Sequence, residues 1–72
     1  MTVAKNIEVS STSSLSFEDA INQGVSKICK TVNRVQGAWI KEQKVSISDG
    51  SIDKYHVIMI VSFVLDENDQ VA

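Results

Sequence analysis

Between Ile52 and Leu65 the chain reads IDKYHVIMIVSFVL, and this stretch constrains the fold more than any other. It follows an Asp49-Gly50 turn signal and is built of β-branched, aromatic and long aliphatic residues, so it predicts a strand far longer than usual. The odd positions Tyr55, Val57, Met59, Val61, Phe63 and Leu65 are all apolar and project to one side. That side requires a core. On the other side stand His56, Ile58, Ile60, Ser62 and Val64, and three of these five are strongly apolar. Such a strand wants cover on both faces, and a chain of 72 residues has little left to supply it.

At this length one domain over residues 1–72 is expected, near the size at which a single core is only marginally sufficient. The single cysteine, Cys29, excludes an intrachain disulfide, and the single histidine excludes a clustered zinc site of the usual kind. Association between copies is the remaining source of stability. A net charge of -2 and an isoelectric point near 5.1 argue against a nucleic-acid partner. The opening MTVAKNIEVS has no apolar run long enough for a signal peptide, and the run at 57–61 is too short to span a bilayer. The expectation is a cytoplasmic protein without a membrane partner.

Val3 to Ser10 alternates imperfectly, with Lys5 interrupting Val3, Ile7 and Val9, and predicts a first strand. The hydroxyl run Ser10 to Ser14 competes for backbone hydrogen bonds, so it is expected to end that strand as a loop. Ser16 before Phe17-Glu18-Asp19 is a variant capping box, with Asp19 where Glu is more usual, and it starts a helix. Phe17, Ala20, Ile21, Val25, Ile28, Cys29 and Val32 then form an amphipathic stripe about four turns long. Cys29 is expected to be a small buried hydrophobe on it. Gly24 falls on the same stripe at a cost of roughly 1 kcal/mol relative to Ala, which close approach of the helix to the sheet would explain.

From Val35 to Ser48 the period is again that of a strand, but Ala38 and Ile40 lie on even positions and Val45 and Ile47 on odd ones. A parity switch predicts a bulge or bend within Lys41-Glu42-Gln43-Lys44. Ser48-Asp49-Gly50-Ser51 reverses the chain and makes a hairpin of the two long strands. The acidic residues 66–72 are expected to be a mobile tail. The fold class is therefore α+β, strand-helix-strand-strand, a three-stranded antiparallel sheet wrapped around one amphipathic helix. Its other face, carrying Ile58, Ile60 and Val64, is left bare and marks an association surface.

These residues resemble the dodecin family of small flavin-binding proteins, from Ile7 to about Asp66. The resemblance rests on IEVSSTSSLSFEDAI, on KTVNRV at the helix end, on the DG turn and on KYHVIMIVSFVLDE in the last strand. It implies a hollow dodecamer of identical chains with flavin pairs held between subunits; some bacterial members are associated with coenzyme A or calcium. Two family contacts are changed in this chain. In an ungapped match the tryptophan on which the flavin ring stacks falls at Gly37, and the glutamine that hydrogen-bonds the pyrimidine edge falls at His56. Ser11 replaces a turn glycine, a change that is tolerated where no positive φ is needed.

Trp39, two positions beyond Gly37, shares its side of a regular strand and is a displaced stacking platform or an interface residue. His56 either donates to a flavin carbonyl or sits as a polar residue at an interface. The leading expectation is a shell that sequesters FMN, riboflavin or a similar flat aromatic ligand, with Gly37, Trp39, Gln43 and His56 at the pocket. The alternative is a flavin-free assembly, structural or calcium-binding through copies of Glu42, Asp49, Asp53, Asp66, Glu67 or Asp69. An enzyme is not expected. Cys29 and His56 should point apart, and no phosphate loop, carboxylate pair or metal motif is present.

Overall fold

The computed structural model describes residues 3–65. In chain order the elements are β1 (Ala4–Ser13), α1 (Phe17–Thr31), β2 (Val35–Ser48) and β3 (Ser51–Val64). They form one antiparallel sheet in the order β1-β3-β2, with α1 on one face over β1 and β3. The central place of β3 explains its composition. It is paired along both edges, its odd positions Val57, Met59 and Val61 are fully buried under the helix, and its even positions from His56 to Val64 are half-buried. The tail expected at 66–72 lies outside the described residues.

Val57, Met59, Val61 and Ala20 are fully buried, and Ile7, Val9, Phe17, Ile21, Val25, Ile28 and Val35 close around them. Each large aliphatic side chain buried in this way contributes about 1.5–3 kcal/mol of transfer free energy. The Phe17 and Tyr55 rings meet edge to face at 5.1 Å and seal one end. Gly24 is also buried, and a Cβ built there would run into Met59 Cε and lie 3.2 Å from Ser11 Cβ. The helix therefore packs as closely as the glycine suggested.

At the helix start the Ser16 hydroxyl accepts the Asp19 N–H at 2.9 Å. The Asp19 carboxylate turns to the Ser13 hydroxyl at 2.6 Å and to the Gln23 amide, linking α1 back to β1. This link belongs to a correction. The hydroxyl run does not end the first strand, because β1 continues to Ser13, with Ser10, Ser11, Thr12 and Ser13 opposite Ile58, Val57, His56 and Tyr55. A long central template satisfies the backbone, which frees the hydroxyls for the helix: Ser11 donates to the Ala20 carbonyl at 2.7 Å, and Ser13 accepts the Leu15 N–H at 2.9 Å. Ser11 sits in the extended strand and is not among the positive-φ positions, Arg34 and Asp49, so it does not need to be glycine.

A second correction concerns Cys29, which is exposed. Ala20 and Gly24 mark the centre of the buried stripe, and at about 100° per residue Cys29 has rotated past its edge. The hairpin follows its expectation. Its register shifts between Ile40 and Glu42, where the parity switch placed a bulge, and Asp49 (φ 50°) and Gly50 (φ 78°) occupy the turn. Two further shifts, at Val35/Gly37 and Ser46/Ile47, have no counterpart in the sequence pattern. At about 3.3 Å per residue the 14-residue strands run roughly twice the length of the 15-residue helix at about 1.5 Å per residue. The far half of the hairpin thus overhangs α1, and Ile47 (61% exposed) and Ile52 (50%) project there without cover.

Candidate functional site

Because Val57, Met59 and Val61 point into the helix, the even residues of β3 face the open side of the sheet. Pairing on both edges arranges that side into cross-strand rows. From one end they are Asn6–Ser62–Gly37, Glu8–Ile60–Trp39, Ser10–Ile58–Glu42 and Thr12–His56–Lys44. Gly37, Trp39 and His56 therefore share a face. Gln43 does not, because the bulge at Lys41 reverses the parity of β2 and sets Gln43 opposite Val57, on the helix side.

Trp39 is 52% exposed beside Ile60. A Cβ at Gly37 would meet nothing within 4 Å, so the position two residues before Trp39 on the same face is open. At the other end Thr12 Oγ1 lies 3.1 Å from His56 Nδ1, with Lys44 across β2 from the ring. Between the two ends, Lys41 Nζ crosses β3 to reach Glu8 Oε1 at 3.0 Å. Both side chains are about half exposed, so the pair adds little stability. Ile58, Ile60 and Val64, expected to lie bare on this face, are instead half-buried although no helix covers them. Trp39 and His56 are separated by this bridge and by four residues of β3, about 13 Å.

The sequence alone did not reveal the Asn6–Ser62 and Thr12–His56 pairs or the Glu8–Lys41 bridge. The even parity of β1 was their one signal, and it acquires meaning only once the pairing register is known. On the helix side, an open groove of about 600 Å³ runs between β1 and α1 from Val9 to Thr12 and from Asn22 to Ile28. A smaller apolar slot of about 240 Å³ lies between α1 and the start of β2, lined by Val25, Ile28, Cys29, Val35, Ala38 and Val61 among others. Cys29 and His56 lie on opposite sides of the sheet. Among the described residues no three His, Cys, Asp or Glu side chains gather as a metal site, and no helix is long and apolar enough to cross a membrane.

The family model for dodecin matches residues 3–66. A comparison with curated protein sequences finds no match. Among solved structures, a single-site mutant of the T. thermophilus dodecin superposes with a TM-score of 0.87 at 28% identity, covering 93% of this chain and 100% of that one. The dodecin of Streptomyces davaonensis gives 0.85 at 26% identity, covering 92% and 97%. A calcium dodecin of Mycobacterium tuberculosis, described as having a novel calcium-binding site, gives 0.77 at 29% identity, covering 89% and 91%. With the same strand-helix-strand-strand fold and a family match over nearly its whole length, the chain belongs to the dodecin family.

Proposed function

We propose that this chain assembles into a homo-oligomeric shell, dodecameric as the family resemblance implies, that binds and sequesters a flat aromatic ligand of the flavin type, FMN or riboflavin, between subunits. The observation that carries the reading is Trp39, half exposed on the uncovered sheet face next to the empty space over Gly37. An indole with free space beside it and Ile60 as its neighbour is a stacking platform, worth about 0.5–1.5 kcal/mol per ring pair beyond the area buried. Trp39 takes over the stacking role at a displaced position, and Gly37 supplies the room. His56, beyond the Glu8–Lys41 bridge, and Gln43, on the opposite face, contribute to such a pocket when a neighbouring copy brings them to it. The role is binding rather than turnover.

The test is a titration of the purified, dialysed full chain with FMN and riboflavin, following flavin and Trp39 fluorescence together while particle size is measured. Saturable mutual quenching that is lost in Trp39→Ala at unchanged particle size supports the reading. An intact particle with no quenching at high micromolar flavin refutes it.

A second reading, a calcium-binding or structural shell without flavin, is favoured by the calcium dodecin at 29% identity. In that case carboxylates such as Glu42, Asp49 and Asp53 act only where copies converge, and Asp66, Glu67 and Asp69 lie outside the described residues. Calcium calorimetry on the same oligomer separates the two: heat of binding with no flavin quenching selects the second.

A further inference from the structure

We infer that Asn6 and Ser62 form the polar pair that orients the ligand beside Trp39, and that they select a ring edge carrying an adjacent carbonyl and N–H, as in an imide or lactam. This deepens the reading above and rests on it. The two residues are direct partners on β1 and β3 and share their row with Gly37, the position that leaves the space open. They are the polar side chains of the row next to Trp39, with Ile60 and Glu8 on one side, Glu8 being engaged by Lys41, and Val64 with Ala4 on the other. A few placed polar groups are what orient a small ligand in its site.

The chemistry of the pair narrows the ligand. Ser62 Oγ donates to Asn6 Oδ1 at 2.7 Å, which ties the two side chains together. With that bond made, the Asn6 amide still has N–H groups to donate, and the Ser62 oxygen still has lone pairs to accept. If the amide is turned over, the bond reverses and the donor and acceptor roles exchange. In either arrangement the pair presents one donor beside one acceptor, complementary to a C=O next to an N–H. Asn6 is exposed and Ser62 half-buried, so both are accessible from the open face. His56 cannot take this role for a ligand held by the same chain's Trp39, since it lies about 13 Å along β3 and beyond the Glu8–Lys41 bridge.

The experiment compares riboflavin with 3-methylriboflavin, in which the imide N–H is replaced by N–CH₃, by titration against the full-chain oligomer and its Asn6→Ala and Ser62→Ala variants. Particle size and circular dichroism are monitored throughout. Each substitution should weaken riboflavin binding by about 3- to 10-fold, the range of one hydrogen bond. N-methylation should weaken binding to the unmutated protein by a similar factor and cost little more in Ser62→Ala, because the imide N–H donates to the Ser62 oxygen and both changes remove that contact. Equal affinity of the unmutated protein for the two ligands overturns the inference, and this comparison holds even if a variant fails to fold. Unchanged riboflavin affinity in both folded variants also overturns it, while leaving Trp39 stacking in place. Absence of riboflavin binding by the unmutated protein overturns the flat-aromatic reading itself, and the inference with it.

Discussion

Replacing Gly24 with alanine sets two effects of known size against each other. On helix propensity alone the change should stabilise α1 by about 1 kcal/mol. The tertiary environment opposes it. The added methyl would collide with Met59 Cε and stand 3.2 Å from Ser11 Cβ, while Ser11 is held by its 2.7 Å bond to the Ala20 carbonyl. Met59 Cε is the end of a flexible side chain, but Met59 is fully buried, so moving it displaces neighbours in a close-packed core. Overpacking of this kind costs about 1–3 kcal/mol. The net expectation is a destabilisation of about 1 kcal/mol, read as a lower urea midpoint at unchanged slope and fixed protomer concentration. Shortening the obstructing side chain tests the cause: Met59→Ala alone costs about 2–5 kcal/mol, and the double variant should cost clearly less than the sum. If Gly24→Ala proves more stable than the parent by about 1 kcal/mol, or if the two changes add, close approach is not the reason for the glycine.

Three further expectations follow from single positions. Ser16→Ala removes the cap on the Asp19 N–H and should cost about 1 kcal/mol in urea denaturation, with Ser16→Asp restoring most of it. Gly50→Ala places a Cβ at φ 78° in the hairpin turn and should cost about 1–2 kcal/mol, whereas Asp49→Asn should be nearly neutral by the same measurement. Gly37→Trp fills with an indole the space assigned to the ligand, so it should leave particle size unchanged and weaken riboflavin by about 10-fold or more in the fluorescence titration; unchanged affinity would place the ligand elsewhere.

Features that depend on neighbours along the chain are legible in the sequence itself. The period of Ile52–Leu65, the Ser16 cap, the Asp49-Gly50 reversal and the parity switch near Lys41 each follow from local sterics and side-chain direction, and each stands where those rules put it. The Ser10–Ser14 segment departs from its expectation for a physical reason. Hydroxyl competition for the backbone is a local tendency, and a paired strand as long as β3 outweighs it while giving the hydroxyls partners on α1. Cys29 departs because a stripe read by spacing has no centre until the sheet beneath it selects one.

The candidate site divides in the same way. Trp39 beside Gly37 is a matter of spacing two along a strand and is visible in the sequence. The Asn6–Ser62 bond and the Glu8–Lys41 bridge join residues 56 and 33 positions apart, and only the register of β1 and β2 on β3 brings them together. The bulge at Lys41 then decides which side of β2 each later residue takes, separating Gln43 from Trp39. The strand-helix-strand-strand order and the buried face of β3 are legible along the chain, whereas the opposite face, expected to be bare at Ile58, Ile60 and Val64, is half-buried there. The tertiary structure decided which polar groups share that face with Trp39, because a pairing register is set by the packing of a whole strand and changes the facing of every side chain when it shifts by one residue.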